Sequence, residues 1–271
     1  MTIYFIFLVL LFSFANGQQT ETNQEKCSAK NYKPNQSFPG QYPWLVALLD
    51  QSDGLKVYIG AGSLITDKLV LTAAHILEDI SENDLVVRGG EYNVSTTDDC
   101  LHQDIQVIRI IRHEGYNKHN AANNMALLVL KTTFDKSINV EKICLRTLEQ
   151  SIDGWPCFFI GWGKKNWDSE DYPTVIKRID IYIKGKAECS AQLRRPVPSQ
   201  QICGTGLQGM DSTGDGGAPL ICIVNNQFLQ AGIVNWGKRE PKNTNFTLFT
   251  DVAELRFWIH YQLKYITGKK F

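Results

Sequence analysis

What most constrains this chain is a succession of short runs rich in β-branched and aromatic residues, broken by turn residues. Residues 44–49, 57–59, 69–72, 85–87, 105–111 and 125–130 make one group. After Pro156 a second group follows at 157–160, 175–183, 220–224, 228–234 and 246–252. Runs of this length, punctuated by Gly, Asn and Asp, read as strands rather than helices. Ile179, Ile181 and Ile183 alternate with Asp180 and Tyr182, which is the period of two expected when one face of a strand is buried. Eleven such runs in two groups predict an all-β chain in which a barrel or sandwich is built twice. Helical spacing is strong only at the end. Val252, Leu255, Trp258, Ile259, Leu263 and Ile266 share a face, Asp251 and Glu254 have capping-box spacing, and Gly268 follows the last turn.

Residues 3–14 are apolar but too short to span a bilayer, and Ala15-Asn16-Gly17 offers small residues for cleavage. Residues 1–17 are therefore expected to be a signal peptide and the product to be secreted and extracellular. No later stretch is long or apolar enough to cross a membrane, so no membrane partner is expected after signal removal. Residues 18–41 are polar, with Pro34, Pro39 and Gly40, and read as an extended arm ahead of one domain at 42–271. The 28 Lys plus Arg balance 28 Asp plus Glu, which argues against a nucleic-acid partner. Seven cysteines permit at most three internal disulfides and leave one over. No Cys-x-x-Cys occurs, and the five histidines are dispersed, so no metal and no cofactor is expected. Asn35, Asn93 and Asn245 begin Asn-x-Ser/Thr sequons and are N-glycosylation candidates. The basic pairs Lys164-Lys165, Arg194-Arg195, Lys238-Arg239 and Lys269-Lys270 are scattered and read as solvated surface.

Three segments carry a resemblance. Leu69-Val70-Leu71-Thr72-Ala73-Ala74-His75, preceded by Gly62-Ser63-Leu64-Ile65, resembles the histidine segment of the chymotrypsin and trypsin family. Asn123-Asn124-Met125-Ala126-Leu127-Leu128 resembles its aspartate segment, and Gly214-Asp215-Gly216-Gly217-Ala218-Pro219-Leu220 its nucleophile loop. Pro43-Trp44, Gly161-Trp162-Gly163, Gly232-Ile233-Val234-Asn235-Trp236-Gly237 and the terminal helix fall in the family's order around them. The resemblance implies two packed six-stranded antiparallel β-barrels with a C-terminal helix. It also implies the disulfides Cys157 with Cys222, Cys189 with Cys203, and Cys27 with Cys144. Two further family bridges are replaced as pairs, by Gly60 with Ile76 and by Ser212 with Glu240. Cys100 is then a free thiol, an intermolecular bridge or a competitor for Cys27.

In the family's mechanism a serine oxygen attacks the acyl carbon, a histidine takes its proton, and an aspartate fixes the histidine tautomer and stabilises the imidazolium. On this resemblance the histidine position is His75, the aspartate position Asn124 and the serine position Gly216. Glycine offers no nucleophile, and Asp→Asn alone lowers turnover by roughly 10⁴ in the family. A pseudo-protease is expected, with His75 a packed, hydrogen-bonded side chain. No Ile-Val-Gly-Gly follows a basic site between Cys27 and Pro43, so Asp215 should lack the inserted amine that family members give it and should be solvated or paired locally. The specificity pocket holds Met210 at or beside its base, Asp211 next to it and Thr247 on one wall; no cleavage preference is assigned.

A narrower resemblance rests on Val86-Val87-Arg88-Gly89-Gly90-Glu91-Tyr92, His102-Gln103-Asp104, Ile110-Ile111-Arg112-His113-Glu114, Tyr116-Asn117-Lys118 and the Gly-Asp-Gly-Gly of residues 214–217. These are similar to the masquerade-like, clip-domain serine protease homologues of arthropods, although only Cys27 stands before the barrel region. The resemblance implies a non-catalytic cofactor or regulator in an immune, melanisation-linked cascade, with a protease, zymogen or prophenoloxidase as partner. The alternatives are a weak serine-type endopeptidase with a displaced nucleophile and a binder of microbial surfaces or glycans. Glu91, Asp98, Asp99 and Asp104 lie where some relatives bind calcium; here they read as a solvated acidic loop.

Overall fold

The computed structural model describes residues 38–96, 101–135, 139–164, 171–206, 213–235 and 246–268. The expected signal peptide and most of the expected arm lie outside them, as do Cys27, Cys100, Asn35 and Asn245.

The first barrel is formed by β1 (Leu45–Asp50), β2 (Val57–Thr66), β3 (Leu69–Thr72), β4 (Leu85–Gly89), β5 (Gln103–Arg112) and β6 (Ala126–Leu130), closed in the order β1-β2-β3-β6-β5-β4. A two-residue strand, β7 (Cys144–Leu145), leads to the second half. There β8 (Cys157–Gly161), β9 (Lys177–Lys184), β10 (Gln201–Gly206), β11 (Pro219–Val224), β12 (Gln227–Val234) and β13 (Phe246–Asp251) form a sheet that the β11–β12 pairing closes. β7 lies parallel on β12. The expected two six-stranded barrels are thus present.

Both faces of the central strands are buried, which is why they read as continuous apolar runs. Val46 and Leu48 of β1, Val70 of β3 and Leu128 and Leu130 of β6 fill the first barrel. Their neighbours Leu45, Ala47, Leu49, Leu71, Leu127 and Val129 join the large cluster that includes Phe158, Phe159 and Leu220 of the second. The interface between the barrels is therefore core, and residues held at it sit on a stiff frame.

Strands β2 and β10 and one helix differ most from the sequence expectation. β2 continues to Thr66 through Gly60 and Gly62; a Cβ on Gly62 would meet Val70 Cγ1 at 2.7 Å, so this glycine permits a close strand crossing rather than a break. β10, with Gly204 and Gly206, was not expected, yet it pairs with β9 and β13. A helix α1 (Lys186–Leu193) was also not expected: it buries only Cys189, and it is tied down by Cys189–Cys203 rather than by an apolar stripe.

The second described bridge is Cys157–Cys222. Cys144 is disulfide-bonded too, to a partner outside the described residues. The terminal helix α2 (Arg256–Thr267) ends on Gly268 in the left-handed region at φ 64°. Its start corrects the capping-box expectation. Leu255 stands at the N-cap, while the Asp251 carboxylate accepts from the backbone N–H of Ala253 at 3.0 Å and of Glu254 at 3.4 Å. Asp251 caps the turn before α2 and pairs with buried Arg146 at 2.5 Å.

Candidate functional site

His75 opens a 3-10 turn directly after β3, Asn124 precedes β6, and Gly216 lies in the turn before β11. Two strands of the first barrel and one of the second therefore bring these three residues together at the interface. Asn124 is fully buried. Its Oδ1 accepts the His75 backbone N–H at 3.0 Å, and because that group can only donate, it fixes which end of the amide faces which way. Nδ2 then lies 2.9 Å from His75 Nδ1 and donates to Asn235 Oδ1 at 3.0 Å. Thr250 Oγ1 completes the cluster, 2.7 Å from Asn235 Oδ1 and 3.0 Å from the Asn124 carbonyl.

This hydrogen-bond order has a chemical consequence. An amide NH2 cannot accept, so His75 Nδ1 must be the bare nitrogen and the proton resides on Nε2. Burial lowers the His75 pKa below its ordinary 6.5 against the opposing pull of the Glu78 charge, which keeps the ring neutral at pH 7. The nitrogen facing Gly216 is thus a donor. A base there would need a lone pair.

The opposite wall is tight. A Cβ on Gly216 would lie 2.8 Å from His75 Nε2 and 2.6 Å from Ile76 Cγ2. Ile76 also crowds the Cα of Gly60 and of Gly217, with its Cδ1 2.8 Å and 3.1 Å from their ideal Cβ positions. A branched aliphatic chain thus occupies the space beside Gly60, where the resemblance implies a lost disulfide.

Asp215, next in the chain, behaves differently. Its carboxylate is fully buried, accepts the Gly163 N–H at 2.8 Å and lies 2.5 Å from Lys177 Nζ. Lys177 also donates to the Lys164 carbonyl. Gly161 and Gly163 leave room for the acid: their Cβ atoms would come within 2.2 Å and 2.5 Å of it. Of the two expected outcomes for Asp215, solvation or local pairing, the structure shows local pairing, with the charge held against Lys177 and shut from water. The sequence carried a signal for Lys177, which stands in phase with Ile179, Ile181 and Ile183 on the buried side of β9. A lysine on that phase requires an anion.

The acidic region is corrected. Glu91 is buried and within 3.4 Å of both Arg88 and His102, and Asp104 takes Arg88 at 2.7 Å and Lys56 at 2.6 Å. Burial alone would raise the Asp104 pKa; the Arg88 and Lys56 partners outweigh it and hold the acid at about 2. Asp98 and Asp99 lie outside the described residues, and no group of three candidate ligands occurs among those described. This network borders a groove of about 680 Å³ that Lys56, Val57, Tyr58, Trp162, Tyr172 and Gly214 help to line. Asn93 is half-buried, and its Oδ1 accepts from the Ser95 hydroxyl at 2.7 Å. Thr247 is buried on β13 opposite Gly204; Met210, Asp211, Ser212 and Glu240 lie outside the described residues.

The profile of the Trypsin family matches residues 33–259. The chain belongs to the trypsin family. Among trypsin-family relatives, Phenoloxidase-activating factor 2 of Galleria mellonella is 33% identical over 243 residues, which is 81% of this chain and 80% of that protein. Inactive CLIP domain-containing serine protease A3 of Aedes aegypti is 32% identical over 246 residues, 86% of this chain and 51% of its own. Inactive CLIP domain-containing serine protease A28 of Anopheles gambiae is 33% identical over 210 residues, 73% and 54% respectively. The chain thus spans about half the length of these two mosquito relatives. Among the described residues no helix is long and apolar enough to cross a membrane.

Proposed function

We propose that this chain is a secreted, non-catalytic serine protease homologue that works by binding proteins of an extracellular immune protease cascade. One observation carries the reading: Asn124 donates to His75 Nδ1, so the imidazole presents a proton, not a lone pair, to a glycine. His75, Asn124 and Gly216 are read as the degenerate triad positions. With no hydroxyl to deprotonate and no base to deprotonate it, acyl transfer has neither partner. The names of the mosquito relatives, which call them inactive, support the same reading.

What remains is a rigid scaffold with a groove beside its dead centre, and the partner class follows from the wax-moth relative's name: a phenoloxidase-cascade protease, zymogen or prophenoloxidase. Groove residues such as Tyr172 and Val57 are exposed and suit aromatic and aliphatic anchors on a partner. Cys27 with Cys144, an odd Cys100, and glycans on Asn35, Asn93 or Asn245 belong to the same proposal. The test uses the purified mature protein. It should resist labelling by a fluorophosphonate, and immobilised on beads it should retain a cascade zymogen or prophenoloxidase from insect haemolymph. Labelling at a serine would end the non-catalytic reading; retention of neither partner class would end the cascade reading.

A further inference from the structure

Helix α2 carries an unusual outer face. Phe257, Tyr261 and Tyr265 are 84%, 57% and 69% exposed. Their spacing of four residues places the rings along one side of the helix, over a length of about 12 Å. The opposite side is the one that docks, through buried Trp258, Ile259 and Gln262. Removing an aromatic ring from water is favourable, so three exposed rings in a row on a helix already anchored elsewhere ask for a second contact. The stripe continues onto the first barrel. The Arg109 guanidinium lies 6.0 Å from the Tyr265 ring centroid, and its neighbour Ile108 is 53% exposed on the bulged part of β5.

Charge narrows the occupant. Lys264 is an exposed cation on α2 and no acid lies on the helix; Arg256 is turned to His260, and Glu114 is turned under the helix to Trp258 and Gln262. In sequence the chain continues Lys269-Lys270-Phe271. A second copy of the same face would set base against base, and a convex helix offers no concavity for an extended peptide. A flat, anionic surface meets both conditions, because aromatic rings settle at the lipid headgroup level while Lys and Arg reach phosphates. We infer that the outer face of α2, with Ile108 and Arg109, is a peripheral docking surface for anionic phospholipid bilayers. The helix lies in the interface plane and does not span.

The test is co-sedimentation of the full mature protein with vesicles of phosphatidylcholine alone or mixed with phosphatidylglycerol, at low and at physiological salt. Binding should require the anionic lipid and weaken with salt. Replacing Phe257, Tyr261 and Tyr265 together by Ser should reduce partition at least tenfold. Lys264→Glu, which reverses one charge and leaves the rings in place, should reduce it roughly tenfold or more. All four side chains are exposed, so both variants should keep the wild-type thermal transition. No binding to anionic vesicles, binding that survives the triple substitution, or a fall in the protein's oligomeric mass in the triple variant, which would mean that the face pairs copies of the chain, each overturns the inference. Binding to soluble polyanions with none to vesicles does so as well.

Discussion

Two sites a single residue apart, Gly216 and Asp215, have opposite chemical character. Around Gly216 every partner is neutral: His75 is uncharged, Asn124 and Asn235 are amides, and Thr250 is a hydroxyl. Around Asp215 a full ion pair is retained in complete burial, with Lys177 as its cation. Removing two charges from water costs several kcal/mol per ion unless geometry and hydrogen bonds recover it. A chain that had merely drifted could have replaced this pair with apolar residues at little cost. The contrast teaches that the cluster around Gly216 is held together by neutral hydrogen bonds, while the turn before β11 is anchored by a buried carboxylate whose cation lies within the fold.

The sharpest way to break this comparison is to rebuild the chemical side. Gly216→Ser alone should stay unlabelled by fluorophosphonate, because His75 Nε2 already holds its proton and Ile76 crowds the new Cβ. Adding Ile76→Ala makes space but supplies no base. Adding Asn124→Asp as well should return the proton to Nδ1 and leave Nε2 free, raising the labelling rate over the two-site variant by up to about 10⁴. If Gly216→Ser labels rapidly by itself, the tautomer assignment is wrong.

The structural side is tested by Lys177→Met, which leaves Asp215 buried without a cation and should lower unfolding free energy by about 3–5 kcal/mol in urea titrations. Lys177→Met with Asp215→Asn removes both charges and should recover much of that loss. Equal losses in the single and double variants would show that Lys177 acts through packing against Phe159, whose ring centroid it approaches at 5.8 Å, and not through charge.

How far the sequence revealed these two sites differs in kind. The central strands and the barrel repeat were legible because burial of both faces leaves unbroken apolar runs, as in residues 125–130. The residues His75, Asn124 and Gly216 were legible from the segments around them, but not the donor order among their atoms, which depends on a backbone N–H and on Asn235 arriving from β12. β10 was missed because Gly204 and Gly206 suppress its propensity, although a Cβ at Gly204 would come within 2.5 Å of Ile181 Cγ2. α1 was missed because a disulfide does what an apolar face usually does. Lys177 did carry a sequence signal, because it stands two residues before Ile179 and shares the buried phase of β9.

The smallest effect should be seen in the pH dependence, where the two regions of the first barrel both lose stability on acidification but in different windows. His75 has a folded pKa below its unfolded value, with burial as the leading cause. The unfolded chain therefore binds the proton first, and stability is lost as pH falls from about 6.5 toward the folded value. Asp104 is also depressed, to about 2, but for an acid the consequence is that its stabilisation persists down to its unfolded value and is lost only between about pH 4 and pH 2. Denaturant midpoints from pH 8 to pH 5 should consequently fall less steeply in His75→Gln than in the parent, while Lys56→Ala should leave that window unchanged and alter only the acid limb. His113 and His260 are depressed by burial as well, so the His75→Gln curve should keep part of its slope. A slope that did not change in His75→Gln would mean that the folded imidazole binds its proton as readily as the unfolded one, which its burial opposes.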